Sequence, residues 1–518
     1  LTLVDSVFVN TSSAGEGGAI YMYQNNDFAV IANCSFLNTG ADYLGGALYV
    51  YEDNEGTTLL DCIFTDTWAG TKGGALYLHQ NTANMVISNC ALSSTHAGKD
   101  GGAIYLYQDN DDTTVTDCSF TETFAGNNGG SVYLYQNNWR VSFTNCSFSE
   151  TSSGDNGGSI HLYMASIDAV IMNCSFVDSS ARISGGAVHA YVNNNGLRIY
   201  TSLFHGGTAE SGGSIYLGYD NSNVQLQNLL LVNNVARTRG GAVLAHSGNF
   251  DLQFLRCVFM NNVAFGSGGA IAAVDSNKNT VDGLIDGTLI ENNTAGFGGG
   301  VYLDQSNDLV MFNRTTIRDN TAISEGGGIF ALCGQLQIST SFLLNNKALY
   351  SAAIYSQSNN VRVESCLISG NSVRGGGLAG GMCLESVRFT TIIKTRFDHN
   401  SASAAGAILM IDCDQVNIVY CDFEDNEALE EDGGALRSVS TDLIISGCHF
   451  SHNTAHVGGG AIHTTGADKF SVSNGTFVGN TASSGNGAAV WISSSLGVDI
   501  AGSTFSFNEA LQGGGTLF

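Results

Sequence analysis

The sequence predicts an all-β solenoid, a triangular parallel β-helix in which coils of about 28 residues each carry three short strands. Three observations predict it. First, one tract recurs: GGAIYMYQNN at 17–26, GGALYLHQNT at 73–82, GGAIYLYQDN at 101–110 and GGSVYLYQNN at 129–138. Second, the tracts keep a period. Their first residue falls at Gly17, Gly45, Gly73, Gly101, Gly129, Gly157 and Gly185, at intervals of 28, and twelve looser copies run from Gly212 to Gly514 at intervals of 25 to 30. Such a period marks a chain in which each repeat buries its apolar side only against its neighbours. Third, the 518 residues contain no proline, where average usage of about 5% would give roughly 26. Proline removes a ladder donor, so a chain of interior strands excludes it.

Each element of the coil follows from its residues. Counting from the first Gly, the fourth position reads Ile20, Leu48, Leu76, Ile104 and Val132, and the sixth reads Met22, Val50, Leu78, Leu106 and Leu134. These face inward, so the fifth and seventh face outward, and this is the first strand. A polar QNN turn follows. A second apolar alternation, such as Val141 and Phe143 or Val416 and Ile418, is the second strand. Two residues on, the parity switches to Cys118 and Phe120, or Cys421 and Phe423. A corner therefore lies between, at Asn33, Asp61, Asn89, Asp117, Asn145 and Asn173, residues that tolerate the left-handed conformation. The third strand is short and leads through a Thr- or Asn-marked, glycine-rich turn to the next GG. The expectation is one continuous solenoid over 1–518 of about 18–19 coils, regular over 1–202 and more variable over 203–518. At a strand spacing of about 4.8 Å it is a rod of about 85–90 Å. The chain starts within a second strand and stops within a first, which reads as a segment of a longer rod.

Stacking turns equivalent positions into columns. One contains Cys34, Cys62, Cys90, Cys118, Cys146 and Cys174, then Cys257, Cys366, Cys421 and Cys448, with Ser, Thr (Thr340 among them) or Gly elsewhere. Interchange with small residues points inward, to a buried thiol stack or to bridges between adjacent coils. Cys333, Cys383 and Cys413 fall outside it. A second column reads Thr11, Thr39, Thr67, Thr95, Thr123, Thr151 and Ser179, then Asn234, Asn262, Asn293, Asn320, Asn345, Asn371, Asn400, Asn426, Asn453, Asn480 and Asn508. Such side chains can hydrogen-bond from coil to coil. The outward face of the first strand carries two aromatic files. Tyr21, Tyr49, Tyr77, Tyr105 and Tyr133 continue into His161 and His189; Tyr23, Tyr51, His79, Tyr107, Tyr135, Tyr163 and Tyr191 run beside them. They either cover the sheet or form an exposed contact face, and as a contact face they suit another protein better than a sugar.

The paired motif carries a resemblance. GGAI at 17–20, 101–104, 268–271 and 459–462, with FMNN at 259–262, FDHN at 397–400, FEDN at 423–426, FSHN at 450–453 and FVGN at 477–480, resembles the repeats of the chlamydial polymorphic outer membrane proteins. That resemblance covers the whole chain and implies a pectin-lyase-like, right-handed β-helix on a cell surface, which in the bacterial family serves adhesion. Similar repeats occur in secreted proteins of algae and other protists. The first seven coils depart from the motif, with Thr or Ser where it has Asn.

Pectin-lyase-like folds include enzymes on polysaccharides, whose acid, base and cationic groups meet on one outer face inside a cleft. Coils of 25 to 30 residues leave no room for cleft walls. KTRFDHN at 394–400 reads as solvated surface, as does the acidic turn of Glu424, Asp425, Glu427, Glu430, Glu431 and Asp432. His449, His452, His456 and His463 lie on unaligned columns. No catalytic residue, metal site or cofactor is expected. A net charge of −27 disfavours nucleic acid and anionic membranes as partners, and no membrane-inserting segment is seen. Sequons at Asn10, Asn33, Asn145, Asn173, Asn292, Asn313 and Asn474 are candidate N-glycosylation sites. The expected function is a non-enzymatic extracellular structural protein, a rod-like subunit of a cell-surface filament or flagellar-hair-like assembly. A surface adhesin is the alternative and a polysaccharide lyase or hydrolase the third reading. The expected partners are itself, other filament subunits and glycans.

Overall fold

The computed structural model describes residues 1–274, 283–305, 307–512 and 514–518. It comprises two compact units, Leu1–Ala264 and Phe265–Phe518. Each is a parallel β-solenoid, and no helix occurs among the described residues. A coil of the first unit contains Ile104–Gln108, Thr114–Thr116, Ser119–Thr121 and Phe124–Ala125. One of the second contains Ile408–Ile411, Gln415–Val419, Asp422–Glu424 and Glu427–Ala428. Every strand pairs in parallel with its counterpart one coil away, so that Tyr77, Tyr105 and Tyr133 lie in register, as do Phe397, Phe423 and Phe450.

There are four strands per coil rather than three. The extra one has two residues and lies where the sequence reading placed only a turn. Two residues cannot display an alternation, yet the second of them, Ala69, Ala97 or Ala125 in successive coils, is fully or almost fully buried. The rest of the interior follows the expected parity. Phe36 and Phe64 stack 4.8 Å apart and 2° from parallel in the first unit, and Phe423 and Phe450 stack at 4.8 Å and 3° in the second. Each buried Phe contributes about 1.5–3 kcal/mol of transfer free energy. Asn33, Asp61 and Asn89 hold the corner at φ of +52°, as expected of residues that accept the left-handed region.

The two glycines of GG answer to different constraints. Gly101 has φ +65°, where a side chain is strained. At Gly102 the difficulty is space, since an added Cβ would lie 2.0 Å from the Gly130 carbonyl oxygen and 2.5 Å from that of Phe124. Adjacent coils touch backbone to backbone there.

Inward polar columns tie coil to coil. In the Asn column, Asn400 Nδ2 donates to the Ile368 carbonyl at 2.8 Å and to Asn426 Oδ1 at 3.0 Å, while Asn400 Oδ1 accepts from the backbone and side chain of Asn371 at 3.1 and 2.9 Å. All four contacts satisfy a wholly buried amide. One member was misassigned: Asn346, not Asn345, holds the column, bonding Asn320 and Asn371. In that coil Leu343 fills the inward place and Phe342 points out, so counting three from Phe342 lands one residue early, on a corner residue with φ +54°. For the same reason Ser341, rather than Thr340, continues the Cys column.

A further column, at the QNN turn, went unread. Asn54, Asn110, Asn138, Asn194, Asn221 and Asn249 are wholly buried there. Asn110 Oδ1 accepts from the Thr82 backbone at 3.1 Å, and Asn138 Oδ1 accepts from that of Asn110 at 3.0 Å. The signal was present as a second Asn recurring at the coil period. Cys333 and Cys413 occupy the same turn in the second unit. Cys333 Sγ lies 3.3 Å from Ser358 Oγ, and the Cys413 amide donates to Thr441 Oγ1 at 3.1 Å. All thirteen cysteines are buried and unbridged in the structure. Burial pushes Cys257, Cys333 and Cys366 up to about 11, so these thiols stay protonated and unreactive at neutral pH.

Candidate functional site

The outward face of the first strand brings the aromatic residues into two stacked files. In the inner file, Tyr49–Tyr77, Tyr77–Tyr105 and Tyr105–Tyr133 have centroids 5.2, 4.9 and 5.1 Å apart. In the outer file Tyr23–Tyr51, Tyr107–Tyr135, Tyr135–Tyr163 and Tyr163–Tyr191 are each 5.3 Å apart, at interplanar angles of 6°, 5°, 4° and 16°. Strand spacing sets this geometry, since in-register tyrosines on neighbouring strands have nowhere to go but face to face.

Exposure corrects one expectation. The inner file is not open surface: Tyr49, Tyr77, Tyr105 and Tyr133 are at most 4% exposed. They form a small second core outside the sheet, walled by Leu44 and the outer file. Lys72 joins that wall, its Nζ donating to the Tyr105 hydroxyl at 3.1 Å and lying 4.7 Å from the ring centroid. Burial lowers the Lys72 pKa and raises those of the four tyrosines. Tyr21 and Tyr23 are exposed, while Tyr51, Tyr107, Tyr135, Tyr163 and Tyr191 are half-buried. The solvent-reached part of the two files is therefore the outer file with Tyr21. Because each ring stacks on the next, it shows solvent its edges and hydroxyls. A sugar that packs on aromatic faces finds none free within the file.

The inner file continues into His161 and His189, with centroids 4.5 Å apart. Both are almost wholly buried; neither ring nitrogen of His189 has a hydrogen-bond partner, and His161 faces the Asn156 backbone. Burial lowers His161 to about 3 and takes His189 well below the usual range, so both are neutral. In the second unit Tyr302, Phe330 and Tyr355 form a shorter stack at 5.1 and 5.0 Å. Cys383 is packed with Phe330 and Tyr355, which explains that cysteine.

The other candidates are placed as follows. Arg396 pairs with Glu424 at 2.8 Å and Asp398 at 3.3 Å, His399 contacts Asp398, and this network is exposed or half-exposed. His463 packs on Trp491 at 4.7 Å with Nδ1 3.5 Å from Asp432, while His452 and His456 are exposed at separate turns. Among the described residues no three His, Cys, Asp or Glu side chains are grouped to hold a metal. None of the described helices could cross a membrane, there being none. Of the sequons, Asn10, Asn33, Asn145, Asn173, Asn292 and Asn474 are exposed and Asn313 is half-buried. Asn33 Nδ2 donates to Asp5 at 2.5 Å, Asn145 Nδ2 to Asp117 at 3.0 Å and Asn173 Nδ2 to Asn145 at 2.6 Å. These corner amides form a surface ladder of their own. At the turn after the first strand, Asp27, Asp53, Glu55, Asp109 and Asp111 line one open acidic groove, which the sequence reading did not single out.

A parallel solenoid with an inward amide ladder and GG contacts between coils defines a class in which repeats, not a cleft, make the structure. The right-handed beta helix region family matches residues 5–176, 282–429 and 376–505, and the chain belongs to it. No curated protein is significantly similar in sequence. Among solved structures, PfbA, a surface adhesin of Streptococcus pneumoniae, aligns at 10% identity over 75% of this chain and 84% of its own, with a TM-score of 0.32.

Proposed function

We propose that this chain is a non-catalytic structural protein of the cell surface, a subunit of an extracellular filament that packs through its outer tyrosine file. The observation that carries the reading is that file. Tyr23, Tyr51, Tyr107, Tyr135, Tyr163 and Tyr191 make one strip of ring edges and hydroxyls on a regular sheet, and Tyr is a residue of protein interfaces. The resemblance of the GG and FxxN repeats to surface-protein repeats supports the location. The acidic charge of −27 keeps such a protein soluble before assembly, and glycans at exposed corners such as Asn33 would do the same.

A surface adhesin is the second reading, and the same strip favours it, since an isolated chain leaves the strip open to a partner. Electron microscopy of native material, combined with nitration of its tyrosines, separates the two. Filaments in which Tyr21 and Tyr23 are protected, and become reactive on disassembly, are the expected result. Isolated particles with both reactive would overturn the filament and leave the adhesin.

A further inference from the structure

We infer that the outer tyrosine file is a site of oxidative dityrosine formation that ties neighbouring coils covalently. All thirteen cysteines are free, so no disulfide performs that task. Tyr107, Tyr135 and Tyr163 stand at 5.3 Å intervals, within 5° of parallel, and Tyr163 and Tyr191 repeat the spacing. Each ring is held against its partner by strands in register, and swinging about the Cβ–Cγ bond carries the Cε carbons of a pair toward each other. The half-buried outer rings have solvent on one side in which to swing, whereas the inner file is locked beneath them.

The chemistry needs a one-electron oxidant, here a peroxidase charged with hydrogen peroxide. Each of two phenols gives up an electron and a proton, and the peroxide is reduced to two waters. The radicals join through a new Cε–Cε bond. Each Cε proton then moves to its phenolic oxygen, and the product is two hydrogens lighter. His79 interrupts the file between Tyr51 and Tyr107, at 4.8 and 5.1 Å from them, so the links fall into two groups. One is Tyr23–Tyr51; the other lies within Tyr107, Tyr135, Tyr163 and Tyr191, each phenol joining a single neighbour.

The chain itself supplies a control. Tyr43, Tyr350 and Tyr420 are 57%, 43% and 62% exposed and stand apart from the file. The experiment treats the dilute full chain with peroxidase and hydrogen peroxide, reads dityrosine fluorescence, and maps linked peptides by mass spectrometry. Monomeric product with links between residues 28 apart in the file is expected. Tyr135→Phe, which keeps a ring in the stack, is expected to abolish the 107–135 and 135–163 links and to leave 163–191. Fluorescence confined to intermolecular links through Tyr43, Tyr350 or Tyr420 would overturn the inference, as would an unchanged map in Tyr135→Phe or a Tyr51–Tyr107 link. This outcome is separable from the filament reading, because it is scored within single chains.

Discussion

The early coils of the first unit and the coils of the second solve the same problem at different corners. Through Ser179, the first unit places Thr or Ser after the third strand and Asn at the turn after the first strand, where Asn110 and Asn138 accept from neighbouring backbones. The second unit does the reverse. Asn293 through Asn508 line the corner after the third strand, and the turn relaxes to Cys333, Ser358, Cys413 and Thr441. A closed coil leaves inward backbone donors at its corners that the parallel ladders do not pair, and a stacked amide is the side chain that can accept from one coil and donate to another. The amide stands at the turn in most early coils and at the corner in the second unit, and the two columns overlap where Asn221 and Asn249 at the turn accompany Asn234 and Asn262 at the corner.

What the units share is the GG contact, and breaking it has the largest expected effect. Gly102→Ala in the first unit and Gly434→Ala in the second would place Cβ 2.0 and 2.1 Å from the next coil's carbonyl oxygen. Each is expected to cost about 3–4 kcal/mol, read as a lowered urea midpoint, because these coils are closed on glycine where those of Ala352 and Ala488 are set for alanine at the same register. An unchanged midpoint in either unit would show that its coils can open as those around Ala352 and Ala488 do. The amide columns come next. Asn400→Ala leaves both Asn371 donors without their acceptor in a dry interior, at about 3 kcal/mol. Asn138→Ala removes only the acceptor for the Asn110 amide and is expected to cost about 1–2 kcal/mol. Urea midpoints of the two variants measure the difference. Equal losses would mean that the second unit gains nothing from its doubly bonded column.

The legibility of these features followed their periodicity. The first three strands, the left-handed Asn and Asp corners and the inward Cys and Phe were readable because each repeats over many coils. The two-residue strand was not, since a single inward alanine carries no alternation. Spacing from Phe342 points to Asn345 instead of Asn346 because Phe342 imitates the inward phenylalanine of other coils. The aromatic files were read correctly as outward, but which of them covers the sheet and which meets solvent was left open. Parity says which side of a sheet a residue takes; whether Leu44 and Lys72 fold over it depends on a turn whose path no alternation specifies.

A third contrast concerns pH. His161 and His189 occupy a file that is tyrosine elsewhere, and burial lowers His161 to about 3 in the folded state, against roughly 6.5 unfolded. Between those values the unfolded chain binds the extra proton, so stability is full above about pH 6.5 and falls as pH drops toward 3, by about 1.4 kcal/mol per unit for His161, with His189 acting in the same direction. His463 in the second unit is lowered to about 4 and carries the same sign. The double substitution His161→Tyr, His189→Tyr restores the residue of neighbouring coils and is expected to flatten the acid side of the first unit's profile. Hydrogen exchange at pH 4.5 and pH 7.5 over residues 157–192 reads it. Unchanged acid protection would place the sensitivity elsewhere.

The smallest expected effect tests the Thr column most directly. Thr39, Thr67 and Thr95 are wholly buried with Oγ1 unpartnered, whereas Thr123 and Thr151 bond Ser131 and Ser159 at 2.6 Å. The difference lies across the coil. Where the GG is followed by Ala, as at Ala75 and Ala103, the hydroxyl has no mate, and where it is followed by Ser it has one. A buried hydroxyl without a partner costs stability relative to a methyl of the same shape. Thr67→Val is thus expected to raise the urea midpoint, by about 1 kcal/mol, and Thr123→Val to lower it by about the same amount because Ser131 is left alone. If both valines destabilise alike, Thr67 has a partner that the stacked coils conceal, and the early column is a hydrogen-bonded ladder after all.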